Sequence, residues 1–451
     1  MNASTATIPH PRGHFLTGNM PELQRNRLAF LLGLRSNYGD IVRIKLGPYP
    51  AVVLFHPDGI QHVLQDNHHN YSKETRALDG LKPLLGNGLL LSNGDFWLRQ
   101  RRLMQPAFHR QEIYALGEMM SRETYSMVDR WTPLIREKQA INIQQEMMRL
   151  TLAIVTQALF GSKVTDADGA IESHIHFLLA DLIFRFDHPF YPAQWAPTRR
   201  NRRYRQARSD LDRVIYGLIA GRRGHESETR DLLSMLMLAS DDASGEKMSD
   251  QQIRDEVMTL FIAGHETTAV TLSWTLYLLS QHPEVEVQLR RELDSTLGGR
   301  TPSLDDLPNL PFNHMVLEES MRLFPPAWLT ERKALKDDEI CGYPINAGTT
   351  MIVTPYVTHR HPQFWIDPET FDPERFNTGH SVNRPRYAYF PFGGGPRQCI
   401  GNNFALLEAQ LVLAALLQKY HFELVAGQVV VPEPLITLRP KGGLFMNVVT
   451  V

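Results

Sequence analysis

The segment Phe390-Pro391-Phe392-Gly393-Gly394-Gly395-Pro396-Arg397-Gln398-Cys399-Ile400-Gly401 runs into a helical pattern from Asn402 to Tyr420. It places a thiol at a helix N-terminus, two residues from a guanidinium, where free N–H groups and positive charge favour the thiolate. Such a sulfur is a ligand or a nucleophile. A nucleophile needs a His and an Asn or Asp partner, and eighteen histidines leave that choice open. Zinc would need a second cysteine at ligand spacing, and the other cysteine is the distant Cys341. A glycine-rich loop opening a helix also suits phosphate, but the Gly-x4-Gly-Lys spacing is absent.

Phe392-x-x-Gly395-x-Arg397-x-Cys399-x-Gly401 resembles the haem-binding loop of the cytochrome P450 family at all five of its fixed positions. Other family motifs occur in the expected order. Ala263-Gly264-His265-Glu266-Thr267-Thr268 resembles the acid–alcohol segment of the family's long distal helix, and Glu319-x-x-Arg322 resembles its Glu-x-x-Arg motif. Pro373-Glu374-Arg375-Phe376 resembles the segment that completes that motif's ion-pair triad, and Trp97-x-x-x-Arg101 resembles a motif on a helix bordering the haem. The motifs span residues 97–401, and the length fits over nearly the whole chain.

The resemblance implies a haem b with Cys399 as the axial iron ligand. A thiolate ligand pushes electron density onto iron and favours O–O cleavage in enzymes of this kind. Backbone N–H groups after Cys399, Gly401 among them, would temper the sulfur's charge, and Phe392 would pack beside it. The glycines would let backbone approach the macrocycle, since no Cβ intervenes. Arg101, Arg332 and Arg397 are candidates for the two haem propionates, which guanidinium geometry suits, and Trp97 shares a helix face with Arg101.

Glu266 and Thr267 lie mid-helix, where neither is a favoured helix former. Alone they read as a threonine bonded back to the i−4 carbonyl and a solvated glutamate. Beside the Cys399 loop they read as the proton-delivery pair, in a helix that opens locally, with Gly264 leaving room for dioxygen. Glu319 and Arg322, one turn apart, would contribute ~0.3–0.5 kcal/mol on a surface. The resemblance instead buries them with Arg375 as a structural network, where losing one partner costs ~3–5 kcal/mol.

These side chains must be positioned by a mainly α, α+β fold with a minor sheet, a single domain over residues 1–451. Its parts are an N-terminal hairpin region at 39–56, a helical body at 97–330 and the cysteine loop at 392–401. The chain is 43% hydrophobic and 21% charged, which excludes disorder, collagen and coiled coil. Alternation predicts strands at Ile41–Leu46 and Ala51–Phe55, with Tyr49 and Pro50 in the bend. Periodicity predicts helices across 112–161 and 170–186, and a capping box at Ser249 and Gln252 opens a helix to Gln281. Six arginines in residues 199–208 sit on a helix whose stripe is Tyr204, Ala207, Leu211, Val214 and Leu218, a solvated amphipathic face. Ile340–Ile345, Thr350–Thr354, Leu435–Leu438 and Leu444–Val448 read as strands of one minor sheet, with Cys341 a small core residue.

Lys plus Arg (47) nearly balances Asp plus Glu (49), which argues against nucleic-acid binding. The longest apolar run is Leu411–Leu417, far short of the roughly 18 residues of a membrane span, so no integral membrane association is expected. Two cysteines suit a cytoplasmic protein. The resemblance implies a monooxygenase that inserts one atom of O2 into a lipophilic small molecule. Leu81, Phe186, Phe261, Ala263 and Trp328 are candidate pocket residues. No reductase sequence follows the cysteine loop, so NAD(P)H-derived electrons are expected from a separate ferredoxin or flavodoxin-type donor and its reductase. That donor would dock on a monomer near Arg99, Arg102 and Arg110.

Overall fold

The computed structural model describes residues 7–161, 170–188, 191–228, 231–241 and 245–451. Its main helices are α1 (Gly94–Met104), α2 (Gly117–Arg136), α3 (Ile143–Phe160), α4 (Ala170–Asp187), α5 (Arg199–Arg222), α6 (Asp250–Gln281), α7 (Pro311–Leu323) and α8 (Asn402–Leu417). The spine is α6. Its start is the expected capping box: Gln252 N–H donates to Ser249 Oγ at 3.3 Å and Ser249 N–H to Gln252 Oε1 at 2.8 Å.

Helix α6 is buried on most of its circumference and packs against α3, α5, α7 and α8. Its many hydroxyls are tolerated there because Thr259, Thr267, Thr268, Thr271, Ser273 and Thr275 each donate to the carbonyl four residues back.

The successive helices expected over 112–161 are present as α2 and α3, with a break between them. Lys138 takes a left-handed φ of 53°, and Ile141–Asn142 forms a short strand before Asn142 caps α3. The stripe of α5 is rotated from the expected one: Tyr204, Ala207, Leu211, Ile215 and Ile219 are buried, not Val214 and Leu218. At 3.6 residues per turn each four-residue step advances about 40°, so the 4-4 spacing after Leu211 turns the buried line gradually around the helix.

The largest sheet has five strands, β1 (Ile41–Leu46), β2 (Tyr49–Leu54), β3 (Tyr71–Ser72), β4 (Thr330–Ala334) and β5 (Thr350–Val353), in the order β1-β2-β5-β4-β3. Tyr49 and Pro50 belong to β2, opposite Leu46 and Lys45, so the bend is only Gly47-Pro48. Alternate residues of β2 serve two cores: Val52 and Leu54 face one, Ala51 and Val53 the other.

The single minor sheet expected from sequence is instead two sheets and two hairpins. Residues 445–450 pair with 420–424 and 141–142, while Pro432–Pro434 (β6) pairs with Leu438–Pro440 (β7). Cys341 is not core. It is exposed at the turn of the 338–345 hairpin with φ 51°. Among the described residues, no helix is long and apolar enough to cross a membrane.

Three consecutive residues of α6 clamp the loop that leads into α1. Arg254 donates to Leu84 O, Asp255 accepts from Asn87 N–H, and Glu256 accepts from Leu89 N–H at 2.8 Å and from Gln100 Nε2 at 3.0 Å. Burial outweighs these donors and pushes Glu256 up from 4.5 to about 7. The folded state therefore holds the proton over a pH range in which the unfolded chain releases it. This contribution to stability is complete below about 4.5 and is lost as pH rises to about 7, amounting to ~3 kcal/mol at most. Glu256→Gln should remove this fall, which urea unfolding at the two ends of the range would measure. An equally steep fall in the variant would show that another group causes it.

Candidate active site

The cysteine loop is folded on itself. Cys399 N–H donates to Phe392 O at 3.0 Å, Gln398 N–H to Gly395 O at 3.1 Å and Gly393 N–H to Phe390 O at 2.9 Å. Two glycines are required by close packing of the loop against its protein neighbours. A Cβ on Gly395 would lie 1.9 Å from Leu64 O, at φ +65°, and one on Gly394 would lie 2.4 Å from the Tyr387 ring.

Cys399 Sγ is surrounded by chain yet open to a cavity that Arg101, Phe108, Gln398 and Asn402 also line. Burial pushes its thiol up, opposed by the Gly401 N–H bonded to the sulfur and then by the charges of Arg101 and Lys73. Arg397, expected to act on the sulfur, instead lies over the Trp97 indole with its guanidinium carbon 4.2 Å from the ring centroid, and donates to Asn93 Oδ1 at 3.2 Å.

Lys73, Arg101, Arg332 and Arg397 converge on this region from four parts of the chain. None forms an ion pair with a carboxylate among the described residues. Burial holds Lys73 well below the lysine range, with Arg332 and Arg397 adding to it and Cys399 opposing. Burial lowers Arg332 to about 10, and burial plus Arg332 lower Arg397 to about 9. Arg397 Nη1 is buried with no hydrogen-bond partner.

Buried like charges with an orphaned donor are what a dianionic ligand would relieve, so the residues fit a haem with two propionates over a cysteine sulfur. Sequence reasoning missed Lys73. Nothing in its neighbours marks it, since it reaches the cluster only through the β3–β4 pairing that puts Ser72 opposite Lys333.

On α6, Ala263 is exposed and Leu260, Gly264 and Thr267 are partly exposed, although the flanking residues are buried, and Ala327 is likewise exposed between buried Pro326 and Trp328. These are the accessible positions of otherwise buried stretches. Helix α6 is unbroken through them, so the expected local opening is absent, and Thr267 Oγ1 donates to Ala263 O at 2.7 Å.

Gly264 serves helix packing: a Cβ there would meet Val155 of α3 at 3.0 Å. Glu266 is 7% exposed, not solvated, and Oε1 accepts from Thr437 Oγ1 at 2.8 Å. Burial raises its carboxyl above the usual range, with Thr437 and the charge of Arg439 opposing.

The Glu319–Arg322 pair is fully buried. Arg322 grips the carboxylate with Nε and Nη2 at 2.6 and 2.7 Å, and Arg375 Nε lies 3.4 Å from Glu319 Oε1. Arg322 also donates to the carbonyls of His359, Pro368 and Thr370, and Asp372 N–H donates to Glu319 Oε1. His359, which sequence reasoning missed, is the link to the cysteine loop, because its Nε2 accepts from Phe390 N–H at 3.0 Å.

Of the pocket candidates, Ala263 is accessible, Leu81 is partly buried and Phe261 is buried. Trp328 is a core residue, packed under the five-stranded sheet and donating to Leu435 O at 2.9 Å. The Phe186 side chain lies outside the described residues. Arg99 and Arg102 approach Glu246 and Asp241, so they are less free for an acidic partner than expected, whereas Arg110 is exposed and bonded to Tyr114.

The chain matches the family model "Cytochrome P450" over residues 8–446. Cyclooctatin synthase of Streptomyces melanosporofaciens is 36% identical over 95% of this chain and 92% of its own. Cyclooctat-9-en-7-ol 5-monooxygenase of the same organism is 34% identical over 91% and 88%. The solved cytochrome P450DA heme domain superposes with a TM-score of 0.90 at 26% identity, covering 99% of this chain and 97% of that one.

Glu319→Ala should lower stability by ~3–5 kcal/mol, because it strands the fully buried Arg322 charge. Denaturant unfolding would measure the loss, and a variant within about 1 kcal/mol of the native chain would show that the carbonyls alone satisfy Arg322.

Proposed function

This chain belongs to the cytochrome P450 family and is a haem monooxygenase of lipophilic substrates, and from that premise we propose roles for its own residues. Cys399 is the sole protein ligand of a haem b iron. Lys73, Arg101, Arg332 and Arg397 hold the propionates, with Trp97 as the platform under Arg397 and Gly401 tempering the sulfur. The observation that carries this reading is the cation cluster beside Cys399, which has no ion-paired acid among the described residues.

When bound, the haem supplies the redox chemistry by which dioxygen is activated. The chain's contribution is to exclude water, orient the substrate and move protons. Ala263, Ala327 and Leu260 form an apolar wall of small and aliphatic groups. The names of the relatives support a ring-bearing terpenoid hydrocarbon or alcohol as substrate. Thr267 is one turn from Ala263 on that wall, so its hydroxyl can leave the Ala263 carbonyl and present a proton to the pocket. Glu266, on the same helix and raised by burial, resupplies it. Electrons come from NAD(P)H through a separate ferredoxin or flavodoxin-type protein in the cytoplasm. That donor docks where the cavity beside Cys399 reaches the surface at His109 and Arg110.

Cys399→Ser should abolish the thiolate-type visible spectrum of the reduced carbonyl complex, and a variant that retained it would overturn the ligand assignment. Thr267→Ala should keep haem and substrate binding while product per NAD(P)H falls and hydrogen peroxide makes up the difference. Positioned acid–base groups contribute ~10²–10⁴-fold, so the loss of coupling should be large. Full coupling in Thr267→Ala on a good substrate would remove the hydroxyl from the proton path.

A further inference from the structure

Glu266, a buried acid of α6, has its one hydrogen-bond partner among the described residues on the β6–β7 hairpin, 171 residues away. The hairpin is fastened to α6 at two points. Trp274 Nε1 donates to Leu438 O at 2.7 Å, and Thr437 Oγ1 donates to Glu266 Oε1 at 2.8 Å. It is also tied to the turn after α7, because Leu438 N–H donates to Pro326 O at 3.1 Å and Trp328 Nε1 to Leu435 O at 2.9 Å. Thr437 is thus held by backbone anchors on both sides; the residue is 4% exposed, and its hydroxyl donates to a carboxylate that is itself buried.

In this arrangement Glu266 and Thr267 are not joined. The carboxyl engages the hairpin, while the Thr267 hydroxyl engages its own helix. A buried carboxylate with a single donor is only partly compensated for lost hydration, so the presence or absence of that donor decides how readily the acid keeps its proton. The charged group acting on Glu266 from the packed elements is Arg439 of β7, which itself pairs with Glu433 of β6 at 3.2 Å. On α6 the neighbouring His265 is buried and held down to about 4, so it is neutral across the working range.

We infer that Thr437 is a positioning residue, which holds the Glu266 carboxyl on the β6–β7 hairpin and sets its proton affinity, so that proton supply to Thr267 is governed from the C-terminal hairpin. The inference deepens the proton-delivery reading of Glu266 and rests on it. It also ties proton supply to substrate, since the same hairpin is fastened to Pro326 and Trp328 on either side of the pocket residue Ala327.

The test compares Thr437→Val, which keeps shape and removes the donor, with Thr437→Ser, which keeps the donor, in the haem-loaded enzyme. The infrared carboxyl band of Glu266, identified by its disappearance in Glu266→Gln, is titrated, and coupling is measured over the same pH range. One hydrogen bond to a buried charged group should be worth roughly a tenfold change in proton affinity, so the band's midpoint should rise by about one pH unit in Thr437→Val. The coupling profile should move with it, and Thr437→Ser should restore both. A Thr437→Val band that titrates with the native midpoint overturns the inference. If Glu266→Gln leaves coupling unchanged at every pH, the proton-delivery reading falls instead, while the band still reports whether Thr437 holds the acid.

Discussion

Positive charge is expensive to bury, and this chain gathers four wholly or partly buried cations around one sulfur with no ion-paired acid among the described residues. Lys73, Arg332 and Arg397 each suffer burial, and Lys73 and Arg397 feel their cationic neighbours as well. In a protein of marginal stability such a cluster persists only when the rest of the fold over-determines it or a ligand relieves it. The first condition is visible here. The five-stranded sheet carries Arg332 and leads into Lys73, α1 carries Arg101 and the cysteine loop carries Arg397, and each of these elements is separately anchored.

The anchoring converges on the Glu319–Arg322 pair. As an ion pair alone it would be a poor source of stability, because desolvation offsets most of its attraction. Its value lies in the remaining guanidinium donors, which collect the carbonyls of His359, Pro368 and Thr370. Through His359 and Phe390 N–H the same pair reaches the segment that enters the cysteine loop. The glycines of that loop then follow from steric necessity, since Leu64 O and the Tyr387 ring occupy the places where side chains would go.

Helix α6 meets the opposite demand, a row of polar groups inside an apolar core. Its threonines and serine satisfy themselves on their own helix, whereas Glu266, like Arg254, Asp255 and Glu256 nearer its start, looks to another element, here the C-terminal hairpin. Glu266 and Thr267 are therefore engaged by two different elements, and the hairpin that holds the acid is the one fastened to Pro326 and Trp328.

Local chemistry determined much of this protein from sequence alone. The Ser249 cap, the 32-residue run of α6, the β1–β2 strands and the cysteine, acid–alcohol and Glu-x-x-Arg segments are legible because each depends on residues within a few positions of one another. What the sequence misjudged depends on distant partners. Strand pairing sent residues 432–440 and 445–450 to different sheets, since main-chain hydrogen bonds carry no sequence label. Trp328 passed from pocket to core, and Arg397 turned from the sulfur to Trp97, because a side chain's surroundings are set by whichever elements close over it. Lys73, His359 and Thr437 had no signal in their neighbours at all. Their roles come from contacts across tens to hundreds of residues, and burial, which gives those contacts their strength, exists only once the chain has folded.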